Sequence, residues 1–417
     1  MELKRVVVTG LGAITPLGKN VAETWDNLLK GTSGANIITR FDTEHFKTKF
    51  ACEVKDYNPL DYFDRKELRK MDMFVQFAII ASDEAIKDAN LNTESIDKDE
   101  IGVIWGAGIG GIQTFQNEVC DFARGSGVPR FNPFFIPKLI SDIAPGEISM
   151  RHGYHGPNYG VVSACASSTN AMIDAFNNIR LGKANVIITG GSEATICESG
   201  IGGFNSMQAM STKNDEYKTA SRPFCKSRDG FVMAEGSACL ILEELEHAKA
   251  RGAKIYGEIV GGGASADAHH LTAPHPEGLG ATKVMERALK DAGMKPEEID
   301  YINVHGTSTP RGDIAETIAV KNVFGEHAYK LNISSTKSMT GHLLGAAGAM
   351  EAMITLLSTY DDIVPPTINH TEIDEEIDPK LNLTLGQAQK RTVNAALSNT
   401  FGFGGHNASV IFKKFVD

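Results

Sequence analysis

Short apolar runs of strand length alternate with amphipathic, helix-length stretches along most of this chain. The helical patterns cover Val21–Leu29, Met73–Ala89, Thr169–Leu181, Thr282–Ala292, Ile314–Val323 and Ala346–Leu357. The strand candidates are Arg5–Thr9, Ile101–Trp105, Asn185–Thr189, Ala238–Leu242, Ile255–Val260, Tyr301–Val304, Ile333–Ser335, Ala395–Leu397 and Ser409–Phe412. This alternation predicts an α/β fold in which helices cover buried, largely parallel sheets.

The length of the chain indicates two structural halves. At 417 residues it exceeds the size at which one core usually stops growing. An Ala/Lys-rich helix end meets a new strand near Arg251–Lys254, so we predict halves at residues 1–252 and 253–417. In each half a strand leads through a tight turn toward a reactive-looking residue, in residues 160–167 and 302–309.

Charge and cysteine usage exclude several classes of protein. The net charge of −11 disfavours a nucleic-acid surface, which needs a concentrated basic face. The 6 cysteines contain no C-x-x-C pair, which argues against a disulfide framework or a thiolate zinc site. No apolar run is long enough for a bilayer span, and the first residues lack a signal-peptide pattern. We therefore expect a cytoplasmic protein that binds no membrane.

Cys165 is the candidate nucleophile. It follows an apolar strand and precedes a helix-compatible run that begins at Ser168. The free N–H groups and the dipole at a helix N-terminus favour a thiolate. The small residues Ala164 and Ala166 leave room for a substrate. Taken alone, the residue would more often be a buried structural cysteine.

Two histidines strengthen the interpretation of Cys165 as a nucleophile. His305 precedes Gly306 and a threonine-rich turn, and His342 precedes a helix start made of small residues. Each histidine alone is more often structural than catalytic. One cysteine with distant histidines is, however, the pattern of an activated thiol nucleophile.

A glycine-rich segment near the C-terminus completes the set of motifs. Residues 398–407 contain three glycines around Phe401 and Phe403. This pattern indicates a mobile loop whose N–H groups can stabilise an oxyanion and whose aromatic ring can gate an apolar tunnel. The alternative is an ordinary packed turn.

These motifs resemble those of the β-ketoacyl-acyl-carrier-protein synthases, especially the elongating type called synthase II. The resemblance runs nearly end to end and rests on the segments at Cys165, His305, Lys337–His342 and Phe401–Gly405. It implies a thiolase-like α/β fold, with two similar halves in a five-layered αβαβα arrangement. It also implies an acyltransferase of fatty acid biosynthesis, which elongates a cysteine-bound acyl chain by decarboxylative Claisen condensation with a malonyl unit.

The resemblance also implies roles for individual residues. Cys165 would carry the acyl chain, and the N–H groups of Cys165 and Phe403 would form the oxyanion hole. His305 and His342 would stabilise the enolate, since neutral imidazoles donate hydrogen bonds to developing negative charge. Lys337 would join this network, with Asp313 and Glu316 as polar support.

The remaining implied sites concern substrates and ions. Thr307 and Thr309 would hold the phosphopantetheine arm. The acyl pocket would be formed by Ile109, Phe134 and Phe135, with Phe403 as its gate, and Phe401 would also contact the substrate. No cofactor is expected for catalysis. A structural monovalent or divalent cation would be bound by the oxygen-rich set Asn303, Glu351, Ser398 and Asn399.

The resemblance further implies an acidic acyl carrier protein as partner and a homodimer. A basic cluster formed by Arg65, Lys66, Arg69 and Lys70 suits such a partner, although runs like it are usually solvated helix faces. The chain departs from the family pattern at Ser163, Ser168, Arg311 and His406. Ser168 and Arg311 leave the substrate preference open.

Three other interpretations compete. Residues 106–111 fit the G-x-G-x-x-G pattern of a nicotinamide-dependent oxidoreductase, but no acidic residue follows at the required distance. A non-catalytic chain-length subunit would lack the nucleophilic cysteine. A thiolase using coenzyme A would need a second cysteine near the C-terminus, and none follows Cys239.

Overall fold

A computed structural model describes residues 3–91 and 96–416. Its strands are β1 (Val6–Ile14), β2 (Asn36–Ile37), β3 (Phe50–Ala51), β4 (Ile101–Gly106), β5 (Asn158–Val161), β6 (Val186–Glu193), β7 (Gly236–Glu244), β8 (Gly257–Ala266), β9 (Tyr301–Asn303), β10 (Asn332–Ser334), β11 (Ile363–Val364), β12 (Gln389–Lys390), β13 (Ala395–Gly402) and β14 (His406–Lys413).

The helices alternate with these strands, as the sequence predicts. They are α1 (Val21–Leu29), α2 (Arg65–Leu68), α3 (Met73–Asp88), α4 (Ile112–Arg124), α5 (Phe135–Leu139), α6 (Ile143–His152), α7 (Ser167–Arg180), α8 (Glu198–Ser206), α9 (Leu245–Ala250), α10 (Leu279–Ala292), α11 (Pro310–Phe324), α12 (Lys337–Thr340) and α13 (Ala347–Asp361).

The main sheet is built from the same topology twice. Its order is β10-β9-β13-β14-β8-β1-β7-β6-β4-β5, joined in the middle by a short antiparallel pairing of β1 with β8. The first half contributes β1, β4, β5, β6 and β7, and the second half contributes β8, β9, β10, β13 and β14. If the five strands of each half are numbered 1 to 5 along the chain, both halves have the order 3-2-4-5-1 from the edge of the sheet to its centre. The parallel and antiparallel pairings also match between the halves.

Helices fill three layers around the two half-sheets. Helices α3 and α6 cover the outer face of the first half, and α10 and α11 cover that of the second. Helices α7 and α13 pack on each other between the half-sheets. The predicted arrangement of two similar halves in five αβαβα layers is thus confirmed, while the boundary between residues 252 and 253 stays a prediction.

The central layer depends on close backbone approach. A Cβ built on Gly348 in α13 would lie 2.0 Å from Thr169 Oγ1 in α7, so a side chain there would separate the two helices. Likewise, a Cβ on Gly106 at the end of β4 would lie 2.4 Å from the Ser168 backbone. Glycine is required at both positions because α7 must approach the neighbouring backbone closely.

The prediction of largely parallel sheets is wrong. Among the strands that the structure describes, only the pairs β4–β5, β4–β6, β9–β10 and β9–β13 are parallel, and the pairs nearer the centre are antiparallel. The physical reason is clearest at β13 and β14, which are joined by only three residues. A connection this short can form a hairpin but not the long crossover that parallel strands need.

The topology also changes which segments of the two halves correspond. From the sequence, the turn before Cys165 in the first half is expected to correspond to the turn at His305 in the second half. The Cys165 turn follows β5, the edge strand of the first half, whereas His305 follows the second-position strand β9. The equivalent of β5 is β10, and the segment after β10 carries Lys337 and His342.

The two edge strands differ in how they are covered. The backbone N–H of Ile333 in β10 donates to Asn382 O at 2.9 Å, and all of β10 is buried under residues 363–391. The described residues leave strand β5 less covered, since Tyr159 is 38% exposed and the adjacent Val162 is 62% exposed. An open edge of this kind is available for pairing with another chain.

Within residues 3–91 and 96–416, no helix combines the length and the apolarity needed to cross a membrane.

Candidate active site

Cys165 lies in a strained turn between β5 and α7. The preceding residue, Ala164, adopts a φ of +51°, a conformation unusual for any residue but glycine. The N–H groups of Ala166 and Ser167 donate back to Ser163 O and Ala164 O at 3.1 Å each. These bonds close the turn and place the thiol just before the first turn of α7.

The thiol is protonated at rest, contrary to the expectation of a thiolate. Burial raises the pKa of Cys165 to about 12, despite the lowering effects of Lys337 and of the Phe403 N–H that points toward the sulfur. A helix dipole is worth about 2 kcal/mol at most, so it cannot offset the removal of the thiolate from water. Reaction at Cys165 therefore needs a base beside it.

Two histidine rings meet at this thiol. His342 Nε2 lies 3.1 Å from Cys165 Sγ, within hydrogen-bond reach. The His305 ring lies against the His342 ring, with centroids 5.3 Å apart and an interplanar angle of 89°. The fold thus brings the three predicted residues close together, although Cys165 and His305 are 140 positions apart in the sequence.

Both histidines are held neutral. Burial, followed by the positive charge of Lys337, lowers the pKa of His305 and of His342 well below the ordinary value of 6.5. Their Nδ1 atoms are buried without a hydrogen-bond partner among the described residues. Neutral imidazoles can accept a proton from a thiol or donate an N–H to an oxyanion.

Lys337 is fully buried and forms an ion pair with Glu351 on α13. The ammonium group is therefore fixed where its charge acts on both histidines and on Cys165. Burial raises the pKa of Glu351 to about 7, against the lowering effect of Lys337. Burial and, to a lesser extent, the fixed charge of Lys337 thus both favour the neutral form of the two imidazoles.

The glycine-rich segment is the hairpin between β13 and β14. Gly404 and Gly405 have φ values of +85° and +75°, so this turn depends on glycine. Phe403 at its tip directs its N–H at Cys165, and its ring lies 6.2 Å from that of Phe204. Phe401 packs 5.6 Å from the His305 ring. Both predicted aromatic residues therefore lie in the site.

A single cavity of about 390 Å³ contains these groups. Cys165, His305 and His342 are on its wall together with Phe401 and Phe403. Thr307 and Thr309 also line it, with their hydroxyl oxygens 3.1 Å apart. The predicted threonines thus lie along the same cavity as the thiol.

The predicted acyl-pocket residues separate into two groups. Ile109 packs into an apolar cluster with Phe231 and Leu344, which line the cavity. Phe134 and Phe135 do not line it: Phe134 is 37% exposed, and Phe135 stacks on Phe131 at the surface. In the single chain α5 lies beside α4 at the surface, so the assignment of Phe134 and Phe135 to the acyl pocket stays a prediction.

The two predicted acidic supports lie behind His305. Glu316 accepts the N–H groups of His305 and Gly306 at 2.8 Å each. Asp313 accepts the Ser308 N–H at 3.2 Å and pairs with Arg228 at 3.3 Å. Burial raises the pKa of Glu316 to about 7 and that of Asp313 to about 6, despite these bonds.

The sequence analysis missed Glu193, the last residue of β6. Its carboxylate accepts four backbone N–H groups at 2.9–3.2 Å, from Gly108, Ile109, Gly110 and Gly345. It therefore ties the loop after β4 to the segment that follows His342. An acidic residue at the end of an otherwise apolar, buried strand was the signal that could have found it.

These bonds also argue against a dinucleotide site in residues 106–111. In such a site the loop N–H groups bind a pyrophosphate. Here those of Gly108, Ile109 and Gly110 are donated to Glu193.

The four residues of the predicted cation set do not converge through their side chains. Asn303 and Ser398 are paired on neighbouring strands, and Asn303 contacts the Glu351 backbone. Ser398 Oγ and Glu351 Oε2 are buried without partners among the described residues. The Asn399 amide instead lies 3.3 Å from Met285 Sδ and from Glu316 Oε1, in the direction of α10. Successive strand residues point to opposite faces, so Asn399 cannot share a side-chain site with Ser398.

Comparisons with known proteins agree with this geometry. Residues 3–248 match the family model of the beta-ketoacyl synthase N-terminal domain, and residues 256–371 match that of the C-terminal domain. The 3-oxoacyl-[acyl-carrier-protein] synthase 2 of Staphylococcus aureus (strain COL) is 50% identical over 99% of both chains. The enzyme of that name from Synechocystis sp. is 50% identical over 100% of this chain and 99% of its own.

Solved structures share the whole fold. A beta-ketoacyl synthase from Burkholderia phymatum matches 99% of this chain and 100% of its own, with a TM-score of 0.91 and 35% identity. A type II polyketide ketosynthase, solved with its acyl-carrier protein, gives a TM-score of 0.91 at 33% identity over 99% and 100% of the two chains. Together with the cysteine and the two histidines of the site, these matches show that the chain belongs to the β-ketoacyl synthase family.

Proposed function

We propose that this protein is an elongating β-ketoacyl-acyl-carrier-protein synthase of fatty acid biosynthesis. The observation that carries the proposal is the placement of Cys165 Sγ 3.1 Å from His342 Nε2, with His305 against His342, on the wall of one cavity. The enzyme joins a cysteine-bound acyl chain to a malonyl unit held on a carrier protein.

In the first step Cys165 takes the acyl chain. His342 Nε2 accepts the thiol proton as Sγ attacks the carbonyl carbon of the acyl-carrier thioester. The N–H groups of Cys165 and Phe403 stabilise the negative oxygen of the tetrahedral intermediate. The carrier leaves as a thiolate and takes the proton from His342, so the histidine is neutral again.

In the second step the malonyl thioester loses CO2, and the electron pair of the broken bond remains as an enolate. N–H groups of His305 and His342 stabilise the enolate oxygen, which requires both rings to be neutral at the start. The enolate carbon attacks the Cys165 thioester. The new carbon–carbon bond forms as the bond to Sγ breaks, and the released Cys165 thiolate takes a proton from solvent water.

The partner is an acyl carrier protein. Its arm enters along Thr307 and Thr309, because these hydroxyls line the cavity that contains Cys165. The four basic residues of the cluster on and after α2 are all exposed and suit an acidic docking surface. The names of the relatives and the carrier complex of the polyketide ketosynthase support this assignment.

We also propose a homodimer formed through the open edge strand β5. The surface beside this edge carries a group of exposed apolar residues: Phe115, Val119, Phe122, Val128, Phe131, Phe134, Ile136, Tyr159 and Val162. A surface of this kind is typical of a protein interface. In the dimer Phe134 and Phe135 would contact the partner and could still contribute to an acyl pocket.

We propose that the chemistry needs no cofactor, because the thiol, two imidazoles and backbone N–H groups can supply the nucleophile, the base and the charge stabilisation. We also propose that Asn303, Ser398 and Glu351 bind a structural cation. Ser398 Oγ and Glu351 Oε2 are buried without partners among the described residues, and Glu351 already pairs with Lys337 through its other oxygen. A cytoplasmic location likewise remains a proposal.

The test is the site of acylation. After incubation with an acyl-carrier protein, intact-mass spectrometry and peptide mapping should place one acyl group on Cys165. Cys165→Ala should remain unmodified, and Cys120→Ala should behave as the wild type. A stable acyl-enzyme in Cys165→Ala would refute the proposal.

Cys225 makes this test sharper. Burial raises the pKa of the Cys225 thiol, but hydrogen bonds from the Glu372 N–H and the Ser227 and Thr371 hydroxyls together lower it more. The net result is a pKa of about 6. Cys225 is thus more readily ionised than Cys165, but it does not line the cavity. Acylation at Cys165 and not at Cys225 would show that position beside His342, rather than ionisation alone, selects the nucleophile.

A further inference from the structure

Arg311 lies at the mouth of the cavity that contains Cys165. It is exposed and also lines the cavity, whereas Cys165 on the wall of the same cavity is buried. Arg311 belongs to the first turn of α11, directly after the threonine pair. Among the described residues it has no hydrogen-bond or ion-pair partner. Its guanidinium is therefore free to bind a group that enters the cavity.

No other arginine or lysine lines the cavity among the residues that the structure describes. The other charged lining residues are Asp229, Asp267 and Glu316, and the Asp267 carboxylate already accepts the Asn407 amide at 2.9 Å. The cation is thus isolated at the entrance of an otherwise neutral or acidic channel. An anionic group of the substrate would find its one positive partner there.

The first turn of α11 adds to this local potential. Its N-cap residue, Thr309, makes no side-chain hydrogen bond to the helix, so the N–H groups of the first turn have no side-chain cap. Such N–H groups favour a nearby anion. The arginine side chain and the helix end therefore act in the same direction.

We infer that Arg311 binds the phosphate of the carrier's phosphopantetheine arm and so sets the preference for phosphorylated thioesters. The inference rests on the proposed function. The thiol end of the arm must reach Cys165, the middle passes the threonine pair, and the phosphate joins the arm to the carrier outside. An arginine fork at the mouth matches phosphate oxygens in charge and geometry.

The experiment uses the full-length protein and three malonyl thioesters: those of the holo carrier protein, of free phosphopantetheine and of pantetheine without phosphate. Malonyl decarboxylation is measured at low salt for the wild type, Arg311→Met and Arg311→Lys. The wild type should prefer phosphopantetheine over pantetheine by roughly 2- to 5-fold in kcat/KM, as expected for a partly exposed charge pair. The preference should lie in KM, because phosphate binding is the same in the ground and transition states.

In Arg311→Met the two small thioesters should react equally, and Arg311→Lys should keep part of the preference. Lys290→Met removes an exposed cation on α10 that does not line the cavity, so it should behave as the wild type. An unchanged preference in Arg311→Met would overturn the inference. A loss confined to the carrier-bound thioester would also overturn it, because Arg311 would then contact the carrier protein itself. Absence of decarboxylation of all three thioesters by the wild type would instead count against the proposed function.

Discussion

The two halves of the molecule share one strand order but supply different chemistry. In the first half the segment after edge strand β5 presents the Cys165 thiol. In the second half the segment after the corresponding strand β10 presents Lys337 and His342, and β9 leads into His305. The repeated scaffold therefore brings equivalent turns to one cavity, with the nucleophile from one half and the proton-handling groups from the other.

Each half also anchors a loop with a buried glutamate. Glu193 accepts N–H groups from the loop after β4, and Glu316 accepts N–H groups from the loop after β9, the corresponding strand. Both carboxylates are buried, and neither has an ion-pair partner within residues 3–91 and 96–416. The comparison teaches that the scaffold duplicates the positioning of the loops as well as the strands, and varies only the side chains that react.

The largest expected effect comes from removing the histidines that the second half supplies to the cavity. His305→Ala should reduce malonyl decarboxylation by about 100- to 1,000-fold, since it removes a preorganised donor to the enolate. Acyl loading of Cys165 should change little. His342→Ala should reduce decarboxylation similarly and should also slow loading by about 100-fold, because it removes the base 3.1 Å from the thiol.

Separate assays of loading by mass spectrometry and of CO2 release would measure this division. His155→Ala, at an exposed histidine outside the cavity, is the control. If the two variants lost both half-reactions equally, His305 and His342 would act as one unit, and the distinction between a base and an enolate donor would be wrong.

A second prediction uses the difference between the edge strands. Val162→Lys places a charge beside open strand β5, so it should weaken dimerisation by about 10-fold or more while leaving the thermal stability of the monomer nearly unchanged. Analytical ultracentrifugation over a dilution series measures this. Val416→Lys, at another exposed valine near the C-terminus, should have no effect. A dimer unaffected by Val162→Lys would place the interface elsewhere.

The smallest expected effect concerns the anchor in the second half. The folded-state pKa of Glu316 is about 7, above the ordinary value of 4.5, so folding favours its protonated form. Its stabilising contribution is complete below pH 4.5 and is lost as the pH rises through about 7. Glu316→Gln has no such titration. The Tm advantage of the wild type over this variant should therefore shrink between pH 5 and pH 8.

Thermal unfolding of both proteins at a series of pH values would measure the change. Other buried carboxyl groups titrate in both proteins and cancel in the difference. A gap in Tm that is constant with pH would mean that Glu316 is already ionised in the folded state.

The sequence alone predicted the reacting groups well. Cys165, His305, His342 and Phe403 line one cavity, and the sequence could predict this set because the motifs together resemble those of a known family. The strand and helix alternation likewise predicted the layers. Local patterns suffice wherever one segment of the chain determines both the conformation and the function.

The failures involve properties that depend on distant parts of the chain. The resting state of Cys165 depends on how deeply other elements bury it, which outweighs the dipole of its own helix. The surface position of Phe134 and Phe135 depends on α4, which the helix prediction missed. The bonds of Glu193 join residues separated by 83 to 152 positions, and no local pattern reports them.

The shared bonds of Glu193 have an evolutionary consequence. One carboxylate holds both the Ile109 loop, which packs against residues of the cavity wall, and the Gly345 segment that follows His342. A change in the path of the pocket loop would therefore displace the catalytic histidine as well. Variation in chain-length preference among descendants of this protein should accordingly arise by exchange of side chains such as Ile109, while the loop backbone and Glu193 stay constant.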